Sequence, residues 1–140
     1  TIQAVILSFR LSRLLDVIRR RQENADLYRS ILNRKYVFWM EDESTRKNSW
    51  YTFVIQVDQR DEFRAKSARC AIETAIHYPI SIHLQPAANR LGYHEGDFPC
   101  AEHQGRRIIT LPIHQFLDEA DVNNISGAIN DFFASNAYRN

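Results

Sequence analysis

The chain has 140 residues, 44% of them apolar and 25% charged, with a formal net charge of +1. Such a chain can bury a single-domain core without disulfide or metal support, and it is too apolar to be disordered. No apolar run approaches the ~20 residues needed to cross a bilayer, so no membrane protein is expected. Near-neutral charge argues against a dedicated nucleic-acid binder.

Two cysteines, Cys70 and Cys100, cannot form a disulfide framework, which favours a reducing, cytoplasmic setting. Each reads as a small buried or half-buried residue. The chain opens on Thr1 rather than Met, and Thr1–Leu7 lacks the basic stretch that precedes a signal core. An upstream segment is therefore expected to be missing.

Residues 1–36 carry eight Arg or Lys against three Asp or Glu (+5), and residues 37–140 carry ten against fourteen (−4). Ala4, Leu7, Leu11, Leu14, Leu15, Ile18, Ala25, Tyr28 and Leu32 recur at three- and four-residue steps, uninterrupted by Gly or Pro. This predicts one long helix over residues 1–34, packed on its own protein, with Arg10, Arg13, Arg20 and Glu23 on a solvated face. A basic amphipathic helix can also lie on a membrane or on nucleic acid, but interspersed acidic residues and a core-like stripe favour packing.

Trp50–Val57 is rich in β-branched and aromatic residues and predicts a strand buried on both faces, with Tyr36–Met40 a shorter one and Glu41–Ser49 a loop between them. A helix capped by Asp58 or Asp61 is expected to run to about Cys70, with Phe63 and Ala68 inward. Ile72–Tyr78 predicts another strand. A final helix follows Asp118, carrying Val122, Ile125, Ile129, Phe132 and Phe133 at helical spacing.

Gly and Pro are absent from the first 78 residues, whereas residues 79–112 hold all four prolines and three of the four glycines. His77, His83, His94 and His103 lie in or beside this stretch. Residues 77–112 thus predict one long shaped loop on a rigid scaffold, where binding residues concentrate. Five, ten and eight residues separate these histidines, without the short-spaced pair typical of zinc sites, so no metal is expected. No phosphate-cradling glycine motif occurs, and neither cysteine has a nucleophile's motif context. Lys35, Lys47 and Lys66 sit among polar residues, unlike a Schiff-base lysine.

The loop carries a resemblance. Glu73–Ala87, read as ETAIHYPISIHLQPA, resembles the HYP-x-P-x-HLQPA segment of the DegT/DnrJ/EryC1/StrS sugar aminotransferases, which use pyridoxal phosphate (PLP). Leu91-Gly92-Tyr93, Gly96-Asp97-Phe98-Pro99 and Ala101-Glu102 are similar to its LGY…GDFP-x-AE, and Leu111-Pro112 to its closing LP. Upstream, Ile2-Gln3-Ala4 and Arg20-Arg21-x-x-Asn24-Ala25-x-x-Tyr28 resemble its IQAA and RR-x-x-x-A-x-x-Y helix, and Trp50–Val57 with Arg60-Asp61 its central strand and following helix. Three positions depart: Ala71 stands where glycine is usual, Ser81 replaces the second proline of HYP-x-P, and Gln115 follows Leu-Pro where proline is common.

The resemblance implies an α/β (α+β) fold, a short antiparallel sheet flanked by helices, corresponding over residues 1–140 to the C-terminal small domain of a fold-type I PLP-dependent transferase. It implies that the PLP-binding large domain is absent, that PLP belongs to the full-length enzyme and that this chain alone binds none. The complete enzyme would transfer an amino group from glutamate to a keto group of a nucleotide-linked sugar, at the 3-keto position. The isolated fragment is expected to be inactive, and either to self-associate or dimerise or to repack its first helix. The alternative is a free-standing, non-catalytic binding module derived from that domain. For substrate binding, the expected residues are His77, Tyr78, His83 and Gln85. His77 and Tyr78 should point to opposite sides of an extended chain, and His83 and Gln85 to a shared face, where imidazole and carboxamide suit sugar hydroxyls or a diphosphate.

Overall fold

The computed structural model describes residues 1–41, 45 and 47–136. Its elements in chain order are α1 (Ile2–Ser12), α2 (Leu14–Ile31), β1 (Val37–Phe38), β2 (Phe53–Val57), α3 (Arg60–Arg69), α4 (Pro99–Arg107), β3 (Ile108–Leu111) and α5 (Glu119–Asn136), with 3-10 turns at Ile82–Leu84 and Pro86–Leu91. The strands form one antiparallel sheet in the order β1-β2-β3, with Val37 opposite Val57 and Ile55 opposite Ile109. A short antiparallel sheet with helices packed against it is the fold class expected. The middle of the expected 41–49 loop lies outside the described residues.

Alternation along β2 sends Phe53, Ile55 and Val57 into the core and leaves Val54 and Gln56 on the other face. The strand is therefore buried on one face, not both: α2 and α5 cover the inner side, while Phe38 and Val54 remain exposed on the outer side. Tyr28 of α2 and Val122 and Ile129 of α5 complete the core. Each such side chain contributes roughly 1.5–3 kcal/mol by leaving water, more than the ~1 kcal/mol of an average hydrogen bond. Apolar burial is thus the larger stabilising term, and polar contacts set the alignment. Asn130 of α5 provides one such contact: its amide donates to the Ile31 carbonyl at 2.9 Å, while its Oδ1 accepts from Asn33 N–H at 3.0 Å. It thereby satisfies backbone groups at the end of α2.

Tyr28 fixes the other end of that packing. Its ring stacks on Phe53 with centroids 5.0 Å apart, and its hydroxyl donates to the Pro112 carbonyl at 3.0 Å. Burial, assisted by the negative charge of Asp121, pushes the phenol well above its ordinary pKa. One turn earlier, the Asn24 amide donates to the His114 carbonyl at 3.0 Å. The alanine-tyrosine spacing on α2 and the Leu-Pro segment after β3 are thus two halves of one contact.

Several expectations fail locally. The helix over 1–34 is interrupted at Arg13 (φ −107°, ψ 1°), which no Gly or Pro marks. Core packing begins only on α2, and α1 buries no residue. Ile72–Tyr78 is not a strand. Ala75 alone bridges Thr110, because the segment crosses the outer edge of β3 at a single point. Neither Asp58 nor Asp61 caps α3. The cap position is Gln59, in a left-handed turn at φ 55°, and Ser67 rather than Ala68 is the inward partner of Phe63. Ala71 also lies at φ 57°, which accounts physically for glycine being usual there. Both cysteines are exposed rather than buried. The expected 77–112 loop contains α4 and the whole of β3.

Removing the Tyr28 hydroxyl leaves the Pro112 carbonyl without that donor. Tyr28→Phe is expected to lower unfolding free energy by about 1–2 kcal/mol and Tyr28→Ala by about 3–5 kcal/mol, read from urea midpoints. Equal losses from the two substitutions would contradict this division between hydrogen bond and packing.

Candidate functional site

Between β3 and α4 on one side and the Tyr78–Phe98 segment on the other lies a concavity of about 490 Å³. Its walls are mostly apolar and aromatic: Ile80, Ile82, Leu91, Tyr93 and Phe98 face it together with Tyr78. Many of these side chains are open to solvent, so the structure gathers apolar surface here without closing it.

Backbone chemistry shapes the segment. After Tyr78, Pro79 turns the chain into the first 3-10 turn, where Leu84 N–H bonds the Ser81 carbonyl at 2.9 Å. Pro86 opens the second turn, and Gly92 ends it at φ 73°, a conformation that favours glycine. The Asp97 carboxylate then accepts from His94 N–H at 2.8 Å, Gly96 turns at φ 98°, and Pro99 occupies the first position of α4, where its missing N–H costs nothing.

The segment is organised around Glu102. This carboxylate is 5% exposed. It accepts from Gly96 N–H at 2.9 and 3.1 Å on its two oxygens, from Phe98 N–H at 3.3 Å, and contacts His83 Nε2 at 2.9 Å. Burial alone would raise its pKa. The Gly96 and Phe98 amides and the His83 ring outweigh that effect and hold it below the ordinary carboxylate value. The arrangement resembles a capping box set one residue deeper than usual, with the helix carboxylate reaching back to the cap residue's own N–H. Glu102 entered the sequence reading only as one letter of a family motif. The available signal was a Glu placed inside the first turn of a helix opened by Gly-Asp-Phe-Pro.

The four expected site residues are placed unequally. Tyr78 lines the concavity and is exposed. His77 lies beside it across a cis peptide bond and turns its Nδ1 to Thr110 Oγ1 at 3.1 Å, against the sheet edge. His83 is buried, held by Glu102 and packed 4.7 Å from the Phe98 ring, which in turn contacts Tyr93 at 5.1 Å. Gln85 donates to the Ile80 carbonyl at 3.2 Å. The shared extended face expected for His83 and Gln85 does not form, because residues 82–84 coil into a 3-10 turn. Both line the concavity, but each spends a polar group on its wall. Lys35, Lys47 and Lys66 are exposed and none lines the concavity. Among the described residues no cluster of three or more His, Cys, Asp or Glu side chains is placed to hold a metal, and no helix is long and apolar enough to cross a membrane.

The lowered pKa of Glu102 carries a pH signature. Its charge stabilises the fold above the unfolded value of roughly 4.3, and that contribution is lost as pH falls through the lower folded value. Glu102→Gln is expected to melt below the wild type near pH ~7, with the gap narrowing toward pH ~3. A gap independent of pH in thermal melts would show that shape, not charge, holds the segment.

The family profile described as the DegT/DnrJ/EryC1/StrS aminotransferase family matches residues 1–130. The dTDP-3-amino-3,6-dideoxy-alpha-D-galactopyranose transaminase of Aneurinibacillus thermoaerophilus is 30% identical over 131 residues, which are 94% of this chain and 36% of that protein. Among solved structures, S. venezuelae DesV superposes with a TM-score of 0.88 at 29% identity, covering 93% of this chain and 35% of that one. A DegT/DnrJ/EryC1/StrS aminotransferase from Brucella abortus superposes at 0.85 with 31% identity, covering 94% and 35%. The chain spans about a third of the length of the relatives it matches. With its motifs meeting around Glu102 and Tyr28 and the profile running over nearly its whole length, the chain belongs to the DegT/DnrJ/EryC1/StrS aminotransferase family.

Proposed function

We propose that this chain is the substrate-shaping C-terminal part of a cytoplasmic, PLP-dependent enzyme that moves an amino group from glutamate to the 3-keto position of a nucleotide-linked sugar. PLP, held by a separate large domain, supplies the electronic chemistry there. The observation that supports this most is convergence. The HLQPA, LGY and GDFP-x-AE segments, which follow one another over residues 83–102, fold back against α4 and β3 and contribute to the walls of one concavity.

Within that reading Tyr78 offers its hydroxyl to the sugar, while Ile80, Ile82 and Phe98 exclude water from the apolar face of the ring. His83 and Gln85 act through the wall they build, and His77 holds the approach to Tyr78 against Thr110. The wall carries no Lys or Arg, which favours a deoxygenated sugar over a uronate.

The chain alone, mixed with PLP and then borohydride, is expected to yield no stoichiometric lysine adduct and no transamination. Fused behind the preceding two-thirds of the A. thermoaerophilus transaminase, it is expected to restore turnover of that enzyme's keto sugar. In the fusion, Tyr78→Phe should raise KM while leaving cofactor absorbance intact. A working lysine adduct on the isolated chain, or a well-folded, PLP-loaded fusion without turnover, would overturn the reading.

A further inference from the structure

Several polar groups around the concavity beside α4 are spent on its own walls. Glu102 takes the Gly96 and Phe98 amides and meets His83 Nε2, and the Gln85 amide donates to the Ile80 carbonyl. The half-buried Ser81 hydroxyl and the exposed Gln104 carboxamide also line the concavity, yet neither makes a hydrogen bond among the described residues. Ser81 heads the 3-10 turn at Ile82–Leu84, where a serine oxygen ordinarily accepts from the turn's own amides, and here its side chain makes no such cap. The backbone does not call for serine either. Its φ of −57° and ψ of 142° lie in the range a proline ring imposes, and the Ser81 N–H has no acceptor among the described residues to lose. The hydroxyl is surplus to the local fold.

The neighbouring helix leaves room for that hydroxyl. Gly105, buried on α4, faces the turn, and a Cβ there would lie 3.4 Å from Ser81 Oγ and 3.8 Å from the Pro79 carbonyl oxygen. A side chain at 105 would therefore crowd the hydroxyl. The Gly105 carbonyl accepts from Arg60 Nη1 at 2.5 Å, and the Arg60 side chain is itself largely buried, so α4 is held in place at this contact. Gln104, the preceding residue of α4, brings its carboxamide to the same concavity. A hydroxyl and a carboxamide, each able to donate and accept, in a wall otherwise rich in Ile, Leu and Phe, match a ligand hydroxyl rather than a charge. Once a ligand excludes water, polar groups left unpaired are costly, so such a wall favours the ligand that pairs with them.

We infer that Ser81, backed by Gln104, is a specificity-determining residue: its hydroxyl pairs with a hydroxyl of the sugar ring and selects a neutral sugar oxygenated at that carbon over one deoxygenated there. This role rests on the aminotransferase reading of the concavity. It falls to a position where this chain carries serine in place of the proline usual in the segment it resembles.

The fusion with the A. thermoaerophilus transaminase tests this when it is run in reverse, from dTDP-3-amino-3,6-dideoxygalactose with 2-oxoglutarate as amino acceptor. The comparison is with the 2-deoxy and 4-deoxy forms of that sugar, since C2 and C4 carry its remaining ring hydroxyls. The parent fusion should prefer the full sugar over one of the two by ~3–10-fold or more in kcat/KM. Ser81→Pro and Ser81→Ala should each bring that ratio close to one, with cofactor absorbance and melting temperature retained. Ser81→Thr, which keeps a hydroxyl, should hold most of the preference. Gly105→Ala, which sets a methyl against Oγ, should reduce it with Ser81 still present. A PLP-loaded fusion that turns over none of the three sugars would overturn the aminotransferase reading and this role with it. Turnover without a preference, or a preference that survives both Ser81→Pro and Ser81→Ala, would overturn the role of Ser81 alone.

Discussion

A buried phenol sets the frame on which the rest of this chain is arranged. Tyr28 must keep its ring on Phe53 and its hydroxyl on the Pro112 carbonyl at once, which fixes α2 against β2 and the chain leaving β3 in a single step. A phenol so buried is held neutral, so the contact is insensitive to pH through the physiological range. The inner face of the sheet is then closed by α5, whose Asn130 locks the far end of α2. This leaves the outer face, with Phe38 and Val54, uncovered, and it directs the Tyr78–Phe98 segment to the open edge of β3.

That segment is governed by a different kind of interaction. It has little apolar core of its own; apart from His83 and Ala88, its residues from Tyr78 to Phe98 are partly or fully exposed. One buried carboxylate, accepting from two backbone amides and contacting an imidazole, substitutes for a core. A polar anchor suits a site wall because it fixes the backbone while leaving the apolar side chains free to face a ligand. Apolar anchoring would consume those same side chains. The chain therefore divides labour: hydrophobic burial holds the scaffold, and charge-assisted hydrogen bonds hold the walls of the concavity.

The same division explains what could be read from the sequence. Elements stabilised by burial announce themselves through period, and β2, α3 and α5 lie close to where alternation and helical spacing place them. The Gly and Pro clustering marks the turns between Pro79 and Pro99, because those residues act locally, but does not show that α4 and β3 resume within the same stretch. What stayed hidden was non-local or unperiodic. The end of α1 at Arg13 has no sequence mark. Ile72–Tyr78 has strand composition but only a single pairing point, since composition does not report whether a partner edge continues. The roles of His83 and Glu102 depend on each other across nineteen positions. Without that partnership, an imidazole in a polar loop reads as a free hydrogen-bonding group, whereas its Nε2 is engaged by a buried carboxylate. The motifs that carried the family resemblance marked these residues without disclosing what they do.

One feature of the N-terminal region changes how the chain should behave as a physical object. The eleven residues of α1 contribute nothing to the core, and their Ile, Leu and Phe side chains face water. A helix of that length without tertiary contacts is marginal in water, because nucleation is costly and few hydrogen bonds repay it. Its persistence therefore depends on whatever covers its apolar side. The helical content of residues 2–12 becomes an internal gauge of docking, low when the region stands alone and high when its surface is occupied. The coil-to-helix change would propagate no further than Arg13, where the backbone already departs from helical geometry.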